Sequence, residues 1–169
     1  MTVATGTWQL DPAASTVAVR HKTFWGLATV KGTFTAVTGG GEVGPDGTAT
    51  GTVTLDAGSL DTKNAKRDTH LRSADFFDAD NHPQITFAVR GAELRDGDTA
   101  PVDGQLTVRG VSRPQTVTAR VTAADASAVT LEAEFTVDRD QFGVSWNQLG
   151  MMGGLTKVSA TLRFTRTEA

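Results

Sequence analysis

Apolar and polar residues alternate with a period of two along most of the chain, which is the mark of strands with one buried and one solvated face. In the stretch AVTLEAEFTVD, Val129, Leu131, Ala133, Phe135 and Val137 are apolar, and Thr130, Glu132, Glu134, Thr136 and Asp138 are polar. The stretch KVSATLRF repeats the pattern with Val158, Ala160, Leu162 and Phe164 facing in. The same reading places Val17/Val19/His21, Val30/Phe34/Ala36, Val53/Leu55, Ile85/Phe87/Val89, Leu106/Val108 and Val117/Ala119/Val121 on inner faces. That makes about eight strands, as expected of a single antiparallel barrel or a sandwich. Gly44-Pro45-Asp46-Gly47 and Arg95-Asp96-Gly97-Asp98 read as hairpin turns, in which Asp-Gly supplies the residue with positive φ.

Two segments break the rhythm. Residues 62–73 (TKNAKRDTHLRS) lack alternation and predict a short helix capped by Asp61 or Thr62, with 62–77 as the main helical element. His82 before Pro83 ends that segment, because the residue preceding a proline is pushed out of the α region. Residues 139–154 carry aromatics, methionines and glycines with no clear period. No linker, repeat or charge block appears, and 169 residues suit one domain of residues 1–169.

Composition supports a sheet. Thr (27) and Val (17) together supply 44 of 169 residues, and β-branched side chains favour a pleated surface over a helix. The net charge is −3 with no basic stripe or tail along the chain, so neither nucleic acid nor an anionic membrane surface is expected as a partner. The absence of cysteine excludes disulfides, thiolate catalysis and cysteine metal sites. No run approaches the ~18 apolar residues of a membrane-spanning helix. The start MTVATGTWQL has neither a basic nor an apolar signal region, so a cytoplasmic location is expected, or a periplasmic or secreted one if this is a mature form.

Local chemical motifs are few. Gly39-Gly40-Gly41-Glu42-Val43-Gly44 fits G-x-G-x-x-G, but a turn follows where the dinucleotide fingerprint needs a helix. His21, His70 and His82 show no metal-ligand spacing. By parity His21 shares the apolar face of Val17 and Val19, so its ring needs a side-chain partner or a ligand head group. Arg67-Asp68 suits an ion pair tying helix to barrel, or a head-group contact. Phe76-Phe77 either plugs one end of a barrel or lines a ligand mouth. Residues 142–155 (FGVSWNQLGMMGGL) combine adaptable apolar side chains with flexible glycines, as a packed loop or a lid would.

Longer motifs then carry a resemblance. Trp8-x-x-Asp11-x-x-x-Ser15, VAVRH ending at His21 and Val30-x-Gly32-x-Phe34 open the chain. Asp61-Thr62-x-Asn64-x-x-Arg67-Asp68-x-His70-Leu71-Arg72-Ser73-x-Asp75-Phe76-Phe77-Asp78 follows in the middle. Pro83-x-Ile85-Thr86-Phe87, Gly104-x-Leu106-Thr107-Val108-Arg109-Gly110-Val111 and Arg139-x-x-Phe142-Gly143 complete the order. Together they resemble the YceI-like, polyisoprenoid-binding family over nearly the whole chain. The resemblance implies an all-β, lipocalin-like antiparallel barrel holding a long apolar ligand, with no catalytic residues; no cofactor is expected, and no metal either, since cysteine is absent and the histidines are scattered. The chain departs from the family pattern in carrying His82 before the proline and no tyrosine.

The expected function is non-enzymatic carriage or storage of a polyisoprenoid, isoprenoid quinone or fatty-chain lipid. Its expected lining is Val19, His21, Trp25, Phe34, Arg67, Phe76 and Phe77 from the first half of the chain. Phe87, Phe135, Phe142, Trp146, Met151, Met152 and Leu162 complete it, with Trp146 and the two methionines gating the mouth. Small residues at Ala36, Ala119, Ala133 and Ala160 would leave room in the bore. The competing reading is a cyclase or hydrolase with His21 as general base, which needs a second positioned acid or base. A homodimer is compatible with either.

Overall fold

The computed structural model describes residues 3–93, 98–144 and 154–167. Its strands are β1 (Gly6–Leu10), β2 (Thr16–Thr23), β3 (Ala28–Phe34), β4 (Val37–Val43), β5 (Thr48–Asp56), β6 (Leu60–Asp61), β7 (Gln84–Glu93), β8 (Thr99–Val108), β9 (Val111–Ala124), β10 (Ala128–Asp138) and β11 (Leu155–Thr167). One α-helix, α1 (Ala65–Arg72), lies between β6 and β7.

Six of these strands are halves of three bent ones. β1 and β2 are separated by a single 3-10 turn at Pro12–Ala14, capped by Asp11, yet both pair with β11 on one side. On the other side β1 pairs with β4 and β2 with β3, so 6–43 is one long hairpin with two interruptions. The β5–β6 strand breaks at Ala57–Ser59 and follows the same partner, β5 against β4 and β6 against β3. The three bent strands and β7 to β11 then close an eight-strand antiparallel barrel in chain order, with β11 returning to β1 and β2. Closure leaves no long unpaired edge.

The bends explain one departure from the sequence reading. Ala36 is exposed, whereas strict alternation from Val30 and Phe34 would turn it inward. Ser59 takes the backbone there, accepting from Thr35 N at its carbonyl and from Ala36 N at its hydroxyl, and parity restarts at buried Val37. The helix cap is also different. Asn64, not Asp61 or Thr62, accepts from Arg67 N, because Asp61 already holds Lys63 N and Thr62 is bonded to Asp68. The helix therefore starts at Ala65 and ends before Ser73, shorter than the expected 62–77.

The interior is apolar at both ends. Val3, Trp8, Val43, Val121 and Val129 pack the end away from α1. Phe34, Leu60, Phe76, Ile85, Phe142 and Val144 belong to the cluster near α1. Arg109 fastens that second cluster. It sits with Gly110 in the tight β8–β9 turn, both at positive φ, and its Nη1 donates to Phe76 O and Gly143 O at 3.2 and 3.1 Å. The described helix is too short to cross a membrane.

Candidate ligand-binding site

The barrel encloses a cavity of about 590 Å³ running most of its length. That volume falls within the ~300–1,000 Å³ usual for small-molecule sites. Inward positions of the strands build its wall, so the parity that forms the sheet also makes the surface apolar. Volume is left where the inner positions are small. Ala119, Ala133 and Ala160 are register partners across β9, β10 and β11, forming a row of methyl groups along one wall. Opposite, Gly41 and Gly51 face each other across β4 and β5, and there the wall is bare backbone. A Cβ on Gly41 would stand 2.3 Å from Thr50 O.

Of the polar residues in the lining, Glu42, Thr50 and Thr52 stand on β4 and β5, and the others gather nearer α1. His21 is a register partner of Thr156, and its Nδ1 lies 2.7 Å from the Thr156 hydroxyl, so a side chain serves the ring as the apolar face requires. Arg67 Nε and Nη2 donate to Thr62 Oγ1 and O, each at 2.8 Å. Thr62 in turn donates from N and Oγ1 to the buried carboxylate of Asp68. Arg67 and Asp68 therefore meet through Thr62, in place of the direct ion pair expected. His70 bonds Asp75 at 2.9 Å and packs edge-on against Phe76, ring centroids 5.1 Å apart.

Arg139 is a charged lining residue that sequence reasoning left out of the site. Its side chain is buried at the end of β10, with Nη1 donating to Val144 O at 3.0 Å. Burial lowers its pKa, and the neighbouring Asp140 and Asp138 oppose that shift. The signal was present in Arg139-x-x-Phe142-Gly143, which holds the residue but not its direction. Trp8, Phe24 and Thr156 were also missed, and all three line the cavity.

Most of the expected residues come together. Val19, His21, Phe34, Arg67, Phe76 and Phe77 line the cavity. So do Phe87, Phe135, Phe142 and Leu162. Trp25 does not: it stands 65% exposed at the tip of the β2–β3 hairpin, and its neighbour Phe24 takes the lining position. Trp146, Met151 and Met152 lie outside the described residues.

A YceI-like domain model matches residues 8–165. The chain belongs to the YceI-like family. A UPF0312 protein of Staphylococcus aureus (strain USA300) is 30% identical over 155 residues, covering 84% of this chain and 88% of that protein. Protein YceI of Shigella flexneri is 44% identical over 69 residues, which is 41% of this chain; the match spans about a third (36%) of that relative's length. Among solved structures, Burkholderia cenocepacia BcnA superposes with a TM-score of 0.81 at 23% identity, covering 91% of this chain and 98% of that one. A polyisoprenoid-binding domain from Saccharophagus degradans, implicated in plant cell wall breakdown, gives 0.77 at 14% identity, with 95% and 98% covered. At these identities the structural likeness establishes the barrel alone.

Proposed function

We propose that this YceI-like barrel binds and carries one long apolar molecule, a polyisoprenoid, an isoprenoid quinone or a fatty-chain lipid, without catalysing a reaction on it. The observation that carries the reading is the continuous, mainly apolar cavity of about 590 Å³, with most of its polar side chains toward the α1 end. Such a site orients a tailed ligand. The head lies near His21, Thr156 and Arg67, and the tail runs past the alanine row toward Trp8 and Val129. Each buried methylene contributes roughly 0.8 kcal/mol. About ten of them would give ~8 kcal/mol gross, the scale of a micromolar Kd before the cost of ordering the chain is subtracted. The polyisoprenoid-binding neighbour from Saccharophagus degradans is consistent with this choice of ligand class.

The polar groups suit holding better than chemistry. The hydroxyl and carbonyl of Thr62 already occupy two donors of Arg67, and Arg139 is bonded to its own loop. These bonds fix each side chain in place. Organic extraction of the purified protein followed by mass spectrometry tests the reading. One lipid class, near one molecule per chain, is expected. An extract without lipid, from a protein that also takes up no added isoprenoid alcohol, contradicts it.

A further inference from the structure

The β2–β3 hairpin ends in an exposed apolar tip: Phe24 is 51% exposed, Trp25 65% and Leu27 87%. Leu155, 62% exposed, begins β11 beside it, next to the Thr156–His21 pair. The turn holds its aromatics outward at a backbone cost. Phe24 and Trp25 both adopt left-handed φ, at 51° and 52°, ahead of Gly26 at 88°. Bulky residues rarely accept that region, and strain of this kind gathers at functional positions.

Behind the tip lies a cationic wall that the linear sequence conceals. Arg20 of β2 is the register partner of both Lys31 on β3 and Lys157 on β11, which lines up three cations across three adjacent strands. Lys22 adds a fourth, two residues nearer the tip. Like charges placed directly opposite destabilise a sheet. Few carboxylates offset the row: Glu134 pairs with Lys157 and also feels the charge of Arg20, Asp61 pairs with Lys63, and Asp138 accepts from Asp140 N. Among the described residues, no ion pair reaches Arg20, Lys22 or Lys31. In a chain of net charge −3 this is a local concentration of positive charge.

We infer that this tip and wall dock the barrel on an anionic lipid bilayer, with Phe24, Trp25 and Leu27 inserted and the cations among the head groups. The layering fits that partner. Strands rise about 3.4 Å per residue, which puts Lys22 roughly 7 Å behind Phe24. The head-group region on each side of a bilayer is about 5–8 Å deep. Tryptophan and phenylalanine suit the interfacial level, and basic residues just above it meet anionic lipid. The tip also stands at the cavity, because Phe24 both lines the cavity and is exposed. This inference extends the carrier reading by naming where an apolar ligand would be exchanged, but its test does not require a bound ligand.

Flotation of the whole chain with vesicles of phosphatidylcholine, alone or mixed with phosphatidylglycerol, tests the inference, with each variant's fold confirmed by thermal unfolding. Binding to the mixed vesicles at least about tenfold above phosphatidylcholine alone is expected, falling steeply with added salt. Trp25→Ser/Leu27→Ser, neither of which lines the cavity, should lose the vesicles while still taking up a soluble fatty-chain probe. Arg20→Gln/Lys31→Gln should weaken binding and flatten its salt dependence. Failure of the native chain to float with either vesicle overturns the inference, as do variants that float like the native chain. A dimer in light scattering that Trp25→Ser/Leu27→Ser converts to monomer, with vesicle binding unchanged, assigns the tip to a second copy and also overturns it. Vesicle binding without uptake of the soluble probe would leave docking standing and sink the carrier reading instead.

Discussion

Asp68 is buried where α1 meets β6, and its carboxylate receives both the amide and the hydroxyl of Thr62. Removing a buried acceptor leaves its donors unsatisfied at about 1–3 kcal/mol. Asp68→Ala is expected to lower stability by about that amount in denaturant unfolding, and Thr62→Val to do so while removing one of the two acceptors of Arg67, the Thr62 carbonyl keeping the other. A stability change within a few tenths of a kcal/mol for both would show that the cluster holds nothing in place. The sequence offered Asp68, Thr62 and Arg67 as a motif. It did not show which pairs with which, because the link at 62–64 and the first turn of α1 set that geometry. His21 was more legible: strand parity alone turned it inward, and its partner Thr156 follows once the β2–β11 register is known.

At the scale of elements, alternation located the inner faces of the eight barrel strands because it follows directly from the pleat. It lost Ala36 where the β3–β4 bend resets parity. It could not show the cation row either, since Arg20, Lys31 and Lys157 become neighbours only through cross-strand register. The bends and the glycine pair depend on tertiary closeness as well. Gly41→Ala should destabilise the barrel even though replacing a strand glycine is favourable by propensity, because the added Cβ meets Thr50 O and not a flexible side chain. Melting of Gly41→Ala alongside Gly143→Ala, where a Cβ meets nothing within 4 Å but φ is 74°, separates steric cost from backbone cost.

The β9–β10 turn gives a pH test. Asp125 accepts from Ser127 N, Ala128 N and the Ser127 hydroxyl, and the bonds from Ser127 N and Ala128 N do most to hold its pKa below the ordinary 3.8. A carboxyl depressed on folding stabilises fully above its unfolded pKa and stops doing so as pH falls through the lower folded value. The melting difference between the native chain and Asp125→Ala should therefore be constant at neutral pH and shrink below about pH 4. A difference that grew on acidification would contradict the assignment.

For the whole molecule, the closed barrel and the apolar cavity are two readings of one pattern. Side chains that alternate inward must either fill the bore or line a space, and an eight-strand barrel is wide enough for either. The alanine row decides for a space. If this space is the binding site, a mutation that fills it must displace the ligand. Ala160→Phe places a ring in the bore opposite Val17, beside Ala133. Titration of the native chain with a fluorescent fatty-chain probe should saturate at one molecule per barrel, and Ala160→Phe should lower its affinity at least about tenfold while the strand circular dichroism is retained. Unchanged probe affinity in a folded Ala160→Phe barrel would place binding elsewhere and contradict the account.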